Sequence, residues 1–567
     1  MSSRQSLCIT AVAVSITCAW AGGCSTDGSA ATDGSPSSVP CAALLGMRIA
    51  AAEIALPTSG GLVTGAAAVP AGASIPAHCL VTGSILPVDR AAPNIGFQVS
   101  LPVAWNGKAA FLGGSGFDGM ITDTTGTAPG GAPGTLSPLA RGYAVFGSDG
   151  GHESTAANPY LDGAALVNDE AYANWVGDSP KKTRDAAVQI IRAHYGAAPA
   201  KAYALGGSTG GRETLAAVSR FPADWDGAVA FYPARDVVVL GIGGYAAMAQ
   251  ALAAAGAFPD AAKRALLWDA VLAACDALDG ATDGLVSDIT GCNAIFDPAT
   301  ATLNGAALRC AGGTDSGDTC LSDAQIAAIK AINAPVSLTS PVASGETSFP
   351  GWNIYGAAQG TGGSSPFEPY VEVVDLGSGA PASPLGPTAT WSATLCDGLM
   401  RFVLSPESPL DYLTFDVRGF GAHASRVATL SALDTADTDL SGFAAKGGKL
   451  VILQGTADMM MSARFTERYV STIQSRLGAS VASGMLRYYE VPGYQHGFST
   501  VFNVAWDSLT ALENWVERSV DPAQHEVVTD LAGIPGRTRP LCQYPAYPRY
   551  AGSGDVNQAQ SFSCFSP

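Results

Sequence analysis

The chain has 567 residues, 47% of them apolar, with 30 basic and 48 acidic side chains and a net charge of −18. That length exceeds what one hydrophobic core usually serves, so a core domain with a second domain or large insertion is expected. The acidic balance repels phosphate backbones and anionic surfaces, which excludes nucleic acid as a partner and leaves a membrane only through a lipid anchor.

Residues 1–5 carry one arginine, residues 6–20 are mostly apolar, and Ala21-Gly22-Gly23-Cys24 closes the segment. This reads as a signal peptide over 1–24, too short for a stable span. Small residues before Cys24 and the Ser-, Asp- and Gly-rich linker 25–40 fit a bacterial lipoprotein signal with Cys24 lipidated; simple cleavage near Gly23 is the alternative. Either route leads out of the cytoplasm and makes disulfides permissible. By proximity the cysteines couple as Cys41 with Cys79, Cys275 with Cys292, Cys310 with Cys320, and Cys542 with Cys564. Cys396 is left as a buried thiol.

Strands are expected at 61–63 and 96–101 within a loop-rich stretch, then at 108–112, where the chain runs into Gly113-Gly114-Ser115-Gly116-Phe117-Asp118-Gly119. A buried strand followed by such a loop can present bare amides to a substrate. A strand at 143–147 ends in Ser148-Asp149-Gly150-Gly151-His152, and helical spacing covers 183–195. Strand 201–205, helix 213–220 and strand 227–232 complete an alternation that predicts a parallel sheet with helices on its faces. After Pro233 the rhythm gives way to Ala-rich helices at 244–255 and 260–278, then to Gly-, Ser-, Thr- and Pro-rich stretches. It resumes with strand 449–454, helix 463–477, strand 485–491 and helix 504–516. The expected fold is therefore an α/β core in two parts, 41–235 and 447–567, split by an insertion over 236–446 placed where a lid would attach.

Between strand 201–205 and its helix lies Gly206-Gly207-Ser208-Thr209-Gly210. A strand, a tight glycine turn and a helix project a serine hydroxyl and leave the Thr209 amide at the helix start, which makes Ser208 the candidate nucleophile of an α/β-hydrolase core. That fold supplies, in order, an acid after a late strand and then a histidine. Asp458 follows strand 449–454 in Gly455-Thr456-Ala457-Asp458, and His496 follows strand 485–491. In such a triad the histidine moves the serine proton and the carboxylate fixes its tautomer. The other histidines compete poorly: His78 and His152 precede the serine, His194 is helical, His423 lies in the insertion, and His525 follows Asp521-Pro522 in a turn.

Taken together, G-G-S-T-G-G-R at Ser208, G-G-S-G-F-D-G from Gly113, S-D-G-G-H at Asp149, C-D-A-L-D-G-A-T-D-G from Cys275 and R-P-L-C-Q-Y-P from Arg539 resemble the tannase and feruloyl esterase family over most of 41–567. The resemblance implies hydrolysis of carboxylic esters, usually of aromatic acids, through an acyl-enzyme, with the amides of Gly116 and Thr209 as oxyanion donors and the lid supplying the acyl pocket. It also implies a structural calcium ion on Asp276, Asp279 and Asp283 with the carbonyls of Ala281 and Leu285. From composition alone that loop reads equally as hard oxygen donors for Ca²⁺ or as an acidic turn. The chain departs from the family in one respect: cysteines commonly flank the serine and the histidine there, whereas Gly207 and Gly497 stand here. A surface binding lipoprotein and a peptidase on the same scaffold are the competing readings. Arg401 could meet a substrate carboxylate or form a surface ion pair.

Overall fold

The computed structural model describes residues 38–567 apart from 362–363, 435–437 and 525. The signal segment, Cys24, most of the linker and His525 lie outside the described residues.

The centre is a ten-stranded sheet: β1 (Arg48–Ile49), β2 (Gly60–Val69), β3 (His78–Leu86), β4 (Ile95–Pro102), β5 (Lys108–Leu112), β6 (Ala144–Ser148), β7 (Lys201–Gly207), β8 (Gly227–Phe231), β9 (Lys449–Gly455) and β10 (Leu486–Val491). Their spatial order is β1-β2-β3-β4-β6-β5-β7-β8-β9-β10. From β6 to β10 every pairing is parallel, and from β1 to β6 every pairing is antiparallel. The parallel half reads as unbroken apolar runs because both its faces are covered. Ala204, Ala230 and Ile452 pack to one side with Ile190 and Leu215, while Leu205, Val229 and Leu453 pack to the other with Leu509 and Trp515. Helices α1 (Ser179–Tyr195), α2 (Thr209–Arg220) and α4 (Ser508–Arg518) carry these partners, and α3 (Ala463–Leu477) adds Val470 and Ile473 to the first side.

Three local expectations change. The stretch before β5 is not mainly loop: β2, β3 and β4 form a meander that extends the main sheet, and the strand at His78–Leu86 is absent from the sequence reading. Its signal was present as alternate burial of Cys79, Val81, Gly83 and Ile85, interrupted by glycine and serine that lower strand propensity. Residues 504–505 do not begin a helix; they pair with Val527–Asp530, and the helix starts at Ser508 because Asp507 caps it, accepting from the Thr510 amide at 3.2 Å. The Ala-rich helix after Pro233 starts earlier, opening with wide turns at Val238–Tyr245 before Ala246–Ala253.

β8 and β9 are hydrogen-bonded neighbours, and the residues between them form a third core in which Val239, Val271, Ile329, Trp352, Met400 and Leu430 are buried. That core reaches the parallel half through Phe117, Tyr172 and Trp175. Disulfides join Cys41 to Cys79, Cys275 to Cys292, Cys310 to Cys320 and Cys542 to Cys564, and Cys396 is a free thiol in the buried core.

Candidate active site

Ser208 joins β7 to α2 at φ 59°, ψ −123°, a conformation that a non-glycine residue adopts only when its surroundings enforce it. The neighbouring glycines make room for it. A Cβ on Gly206 would lie 2.2 Å from the Gly210 carbonyl oxygen, and one on Gly210 would lie 2.8 Å from the Gly113 backbone. Backbone bonds then pin the turn: the Ser208 amide donates to Phe231 and its carbonyl accepts from Ala234, both at 3.0 Å.

The structure brings the three predicted polar groups together. His496 Nε2 lies 3.1 Å from Ser208 Oγ, and His496 Nδ1 lies 3.0 Å from Asp458 Oδ2. Each sits beyond the C-terminal end of a parallel strand, where such sheets gather their functional loops. Asp458 is fully enclosed: Oδ1 accepts from the Met460 and Met461 amides at 2.8 Å, and Oδ2 accepts from Gln454 Nε2 at 3.2 Å. With those lone pairs fixed, the carboxylate is aimed at Nδ1, which leaves Nε2 facing the serine.

The loop after β5 lies over the start of α2. Its amides are largely committed: Gly113 to Leu205, Gly114 to Glu213, Phe117 to Tyr160 and Asp118 to Ser115. No such bond engages the amides of Gly116 or Thr209 among the described residues. Gly116 is tied to Thr209 by the Thr209 hydroxyl, which donates to its carbonyl at 2.5 Å, and the Trp175 indole donates to the same oxygen at 3.2 Å. Glu213 is wholly buried beneath this loop, and burial pushes its carboxyl up to about 7. Burial also raises Asp149 to about 7 although Gly96 and Gly151 donate to it.

A family model for tannase and feruloyl esterase matches residues 79–565. The chain belongs to that family. It is 37% identical to an uncharacterised esterase of Agrobacterium fabrum, with 92% of each chain covered. It is 34% identical to mono(2-hydroxyethyl) terephthalate hydrolase of Piscinibacter sakaiensis, with 87% of this chain and 86% of that one covered. The crystal structure of feruloyl esterase B from Aspergillus oryzae superposes with a TM-score of 0.71 at 20% identity, covering 91% of this chain and 99% of that one, which establishes the shared α/β fold. As a member of that family the protein is a carboxylic ester hydrolase.

Two motifs that the sequence separates by some 250 residues meet in space. The acidic loop around Asp276–Asp279 is held by the C-terminal segment: Arg539 pairs with the Asp283 carboxylate, and Arg537 donates to the Asp283 carbonyl at 3.1 Å. Asp276 accepts from the Asp283 and Gly284 amides at 3.2 Å. Asp279 keeps one buried carboxylate oxygen without a hydrogen-bond partner, and burial raises it to about 6, with Asp283 and Asp276 adding to the shift. No three Asp, Glu, His or Cys side chains form a ready metal cage among the described residues. Arg401 pairs with Asp397 at 2.8 Å and is half-exposed.

Sequence reasoning missed Gln454 and Gln495. Gln454 hides as the last polar residue of an apolar strand, where only its contacts with Asp458 and with the Met461 carbonyl (2.8 Å) explain it. Gln495, beside His496, donates to buried Asp375 of the insertion at 2.5 Å and accepts from Ser499 at 3.1 Å. Its signal was a glutamine adjoining the histidine. Its partner could not be guessed from a distance of 120 residues.

Proposed function

We propose that this esterase works through a serine acyl-enzyme and takes esters of aromatic carboxylic acids, in an extracytoplasmic compartment. The observation that carries the reading is the continuous chain Ser208, His496, Asp458, at 3.1 and 3.0 Å, opening onto an apolar pocket. His496 Nε2 takes the hydroxyl proton as Ser208 attacks the ester carbonyl and returns it to the departing alcohol. Asp458 stabilises the imidazolium, and the Gly116 and Thr209 amides receive the developing oxyanion; in the second half-reaction water replaces the serine as the nucleophile.

Support for an aromatic acyl group comes from the pocket lining, which includes Phe117, Trp175 and Tyr245 with Leu395, Leu399 and Met461. The relatives named for terephthalate and feruloyl esters agree with it. The free space beside Ser208 is only about 30 Å³, so a ring enters when side chains of the insertion, such as Leu395 and Leu399, swing aside. Calcium is proposed as a structural ion on Asp276, Asp279 and Asp283 with the Ala281 and Leu285 carbonyls. The orphan oxygen of Asp279 and the mutual charge of these carboxyls fit a hard cation, which would share Asp283 with Arg539. Four disulfides favour an oxidising compartment, with Cys24 as the proposed lipid site.

The test is a panel of methyl gallate, methyl ferulate, mono(2-hydroxyethyl) terephthalate, short alkyl esters and a peptide anilide. Turnover concentrated on the aromatic acyl esters, and abolished in Ser208→Ala, is expected. Equal preference for aliphatic acyl groups would remove the aromatic assignment, and full activity in Ser208→Ala would remove the mechanism.

A further inference from the structure

Gly207 precedes the nucleophile and Gly497 follows the histidine, and neither offers a side chain through which the two loops could brace each other. We propose that Tyr232 is the positioning residue that keeps Ser208 and His496 in register, its ring filling the space between Gly207 and Gly497. The inference rests on the serine mechanism above.

The ring packs on the His496 imidazole with centroids 4.7 Å apart. A Cβ on Gly207 would come within 3.0 Å of the Tyr232 ring and hydroxyl, so the ring takes the space a side chain there would claim; a Cβ on Gly497 would lie in ordinary contact, 3.5 Å from the Tyr370 hydroxyl and 3.7 Å from that of Tyr232, so the ring spans from one glycine to the edge of the other. Tyr494 meets it edge-on at 6.0 Å and donates its own hydroxyl to the Gly497 carbonyl at 3.1 Å, which ties the histidine loop to the same aromatic pair.

The backbone is arranged to put the ring there. Tyr232 sits at φ 33°, a left-handed conformation unusual for a bulky residue. Its neighbours hold it: Phe231 accepts from the Ser208 amide, Ala234 donates to the Ser208 carbonyl, and the Tyr232 amide donates to Leu453 at 2.7 Å. The strained residue is thus locked to the nucleophile's own peptide. Tyr232 also lines a groove of about 920 Å³, together with Gly206, Gly207, Tyr494, Gly497 and Phe498; Ser208 is not part of its lining. Tyr232 thus lines that groove while its ring packs on the imidazole, a placement suited to holding His496 against Ser208.

The experiment compares Tyr232→Phe and Tyr232→Ala in the full chain by steady-state turnover of a p-nitrophenyl ester and by the rate at which a fluorophosphonate labels Ser208. Loss of the brace lowers kcat and slows labelling in Tyr232→Ala by roughly thirtyfold to a hundredfold with KM nearly unchanged, as expected for a displacement of about 1 Å at reacting atoms. Tyr232→Phe keeps the ring and rescues both rates to about the wild-type level, the result expected of packing that depends on shape. Gly207→Ala, which pushes on the ring, slows the parent enzyme but adds little in the Tyr232→Ala background, as residues in contact are non-additive. A folded Tyr232→Ala that labels and turns over like the wild type overturns the proposal, as does a Tyr232→Phe as slow as the alanine variant. If Tyr232→Ala does not fold, Tyr232→Leu takes its place under the same criteria. Failure of the serine mechanism is separate: the wild type would then take no label at Ser208.

Discussion

The loops that carry the proposed triad and the segments that carry the disulfides are held by opposite means. Cys275–Cys292 and Cys310–Cys320 staple the insertion, Cys41–Cys79 ties the amino-terminal turn to β3, and Cys542–Cys564 joins the segment after Thr538–Pro540 to the strand Phe562–Phe565. Around Ser208 and His496 there is no covalent link; hydrogen bonds to Asp458, glycine contacts and the Tyr232 ring do the positioning. Most of these half-cystines are themselves buried, with Cys275 and Cys292 inside the core of the insertion and Cys79 in that of the sheet, and the disulfides add to the packing by restricting the unfolded chain. The catalytic loops grow out of the most deeply buried strands, where close packing already limits them.

The sharpest break in that comparison comes from the catalytic side. Ser208→Ala or His496→Ala should lower kcat by about ten-thousandfold or more while the circular dichroism spectrum stays native, because each disables one proton-transfer unit. Asp458→Asn should cost about a thousandfold or more, less than the others, since the imidazole loses its tautomer control and charge support but stays in place. Near-normal turnover in any of the three would detach the geometry from the chemistry.

On the disulfide-bearing side, a chelator should lower the melting temperature by several degrees without a matching loss of activity at 25 °C, because an ion bound only by the folded state stabilises it by mass action. Asp279→Ala with Asp283→Ala should abolish that sensitivity. Elemental analysis finding no calcium, with no chelator effect, would leave the loop as an acidic turn held by Arg539.

A smaller effect separates the oxyanion loop from both. Burial raises Glu213 and Asp149 to about 7, so the folded state holds their protons more tightly than the unfolded chain. The stability this gives is present below about pH 4 and is lost as pH rises towards 7. Glu213→Gln keeps an acceptor for the Gly114 amide and should flatten the fall in melting temperature between pH 5 and 8 by about 1–2 °C. An unchanged slope would show that Glu213 is ionised in the folded protein.

The smallest effect is an expected absence of change. Brief treatment with dithiothreitol that spares the four disulfides should leave turnover within about twofold, since Gly207 and Gly497 have nothing to reduce. Sharp inactivation with only Cys396 alkylated would show a redox-sensitive element at the site and undo the contrast between the two regions.

The sequence by itself determined the parallel half of the sheet and singled out Ser208, Asp458 and His496, the three groups that the fold brings within hydrogen-bonding distance. Doubly buried strands read as apolar runs, and a glycine-flanked serine between strand and helix has few other uses. Chain order then selected the acid and the base. Composition could not separate a calcium site from an acidic turn, because what distinguishes them is the spatial arrangement of ligands and counter-charges such as Arg539. Only the tertiary structure decided that β3 extends the sheet, that Gln454 orients Asp458, that Asp375 reaches Gln495, and that Tyr232 stands where two glycines leave room. Each of these depends on a contact between residues far apart in the chain. Local propensity and periodicity report the path of a segment and its buried face; they do not report which distant side chain completes a hydrogen bond or fills a gap.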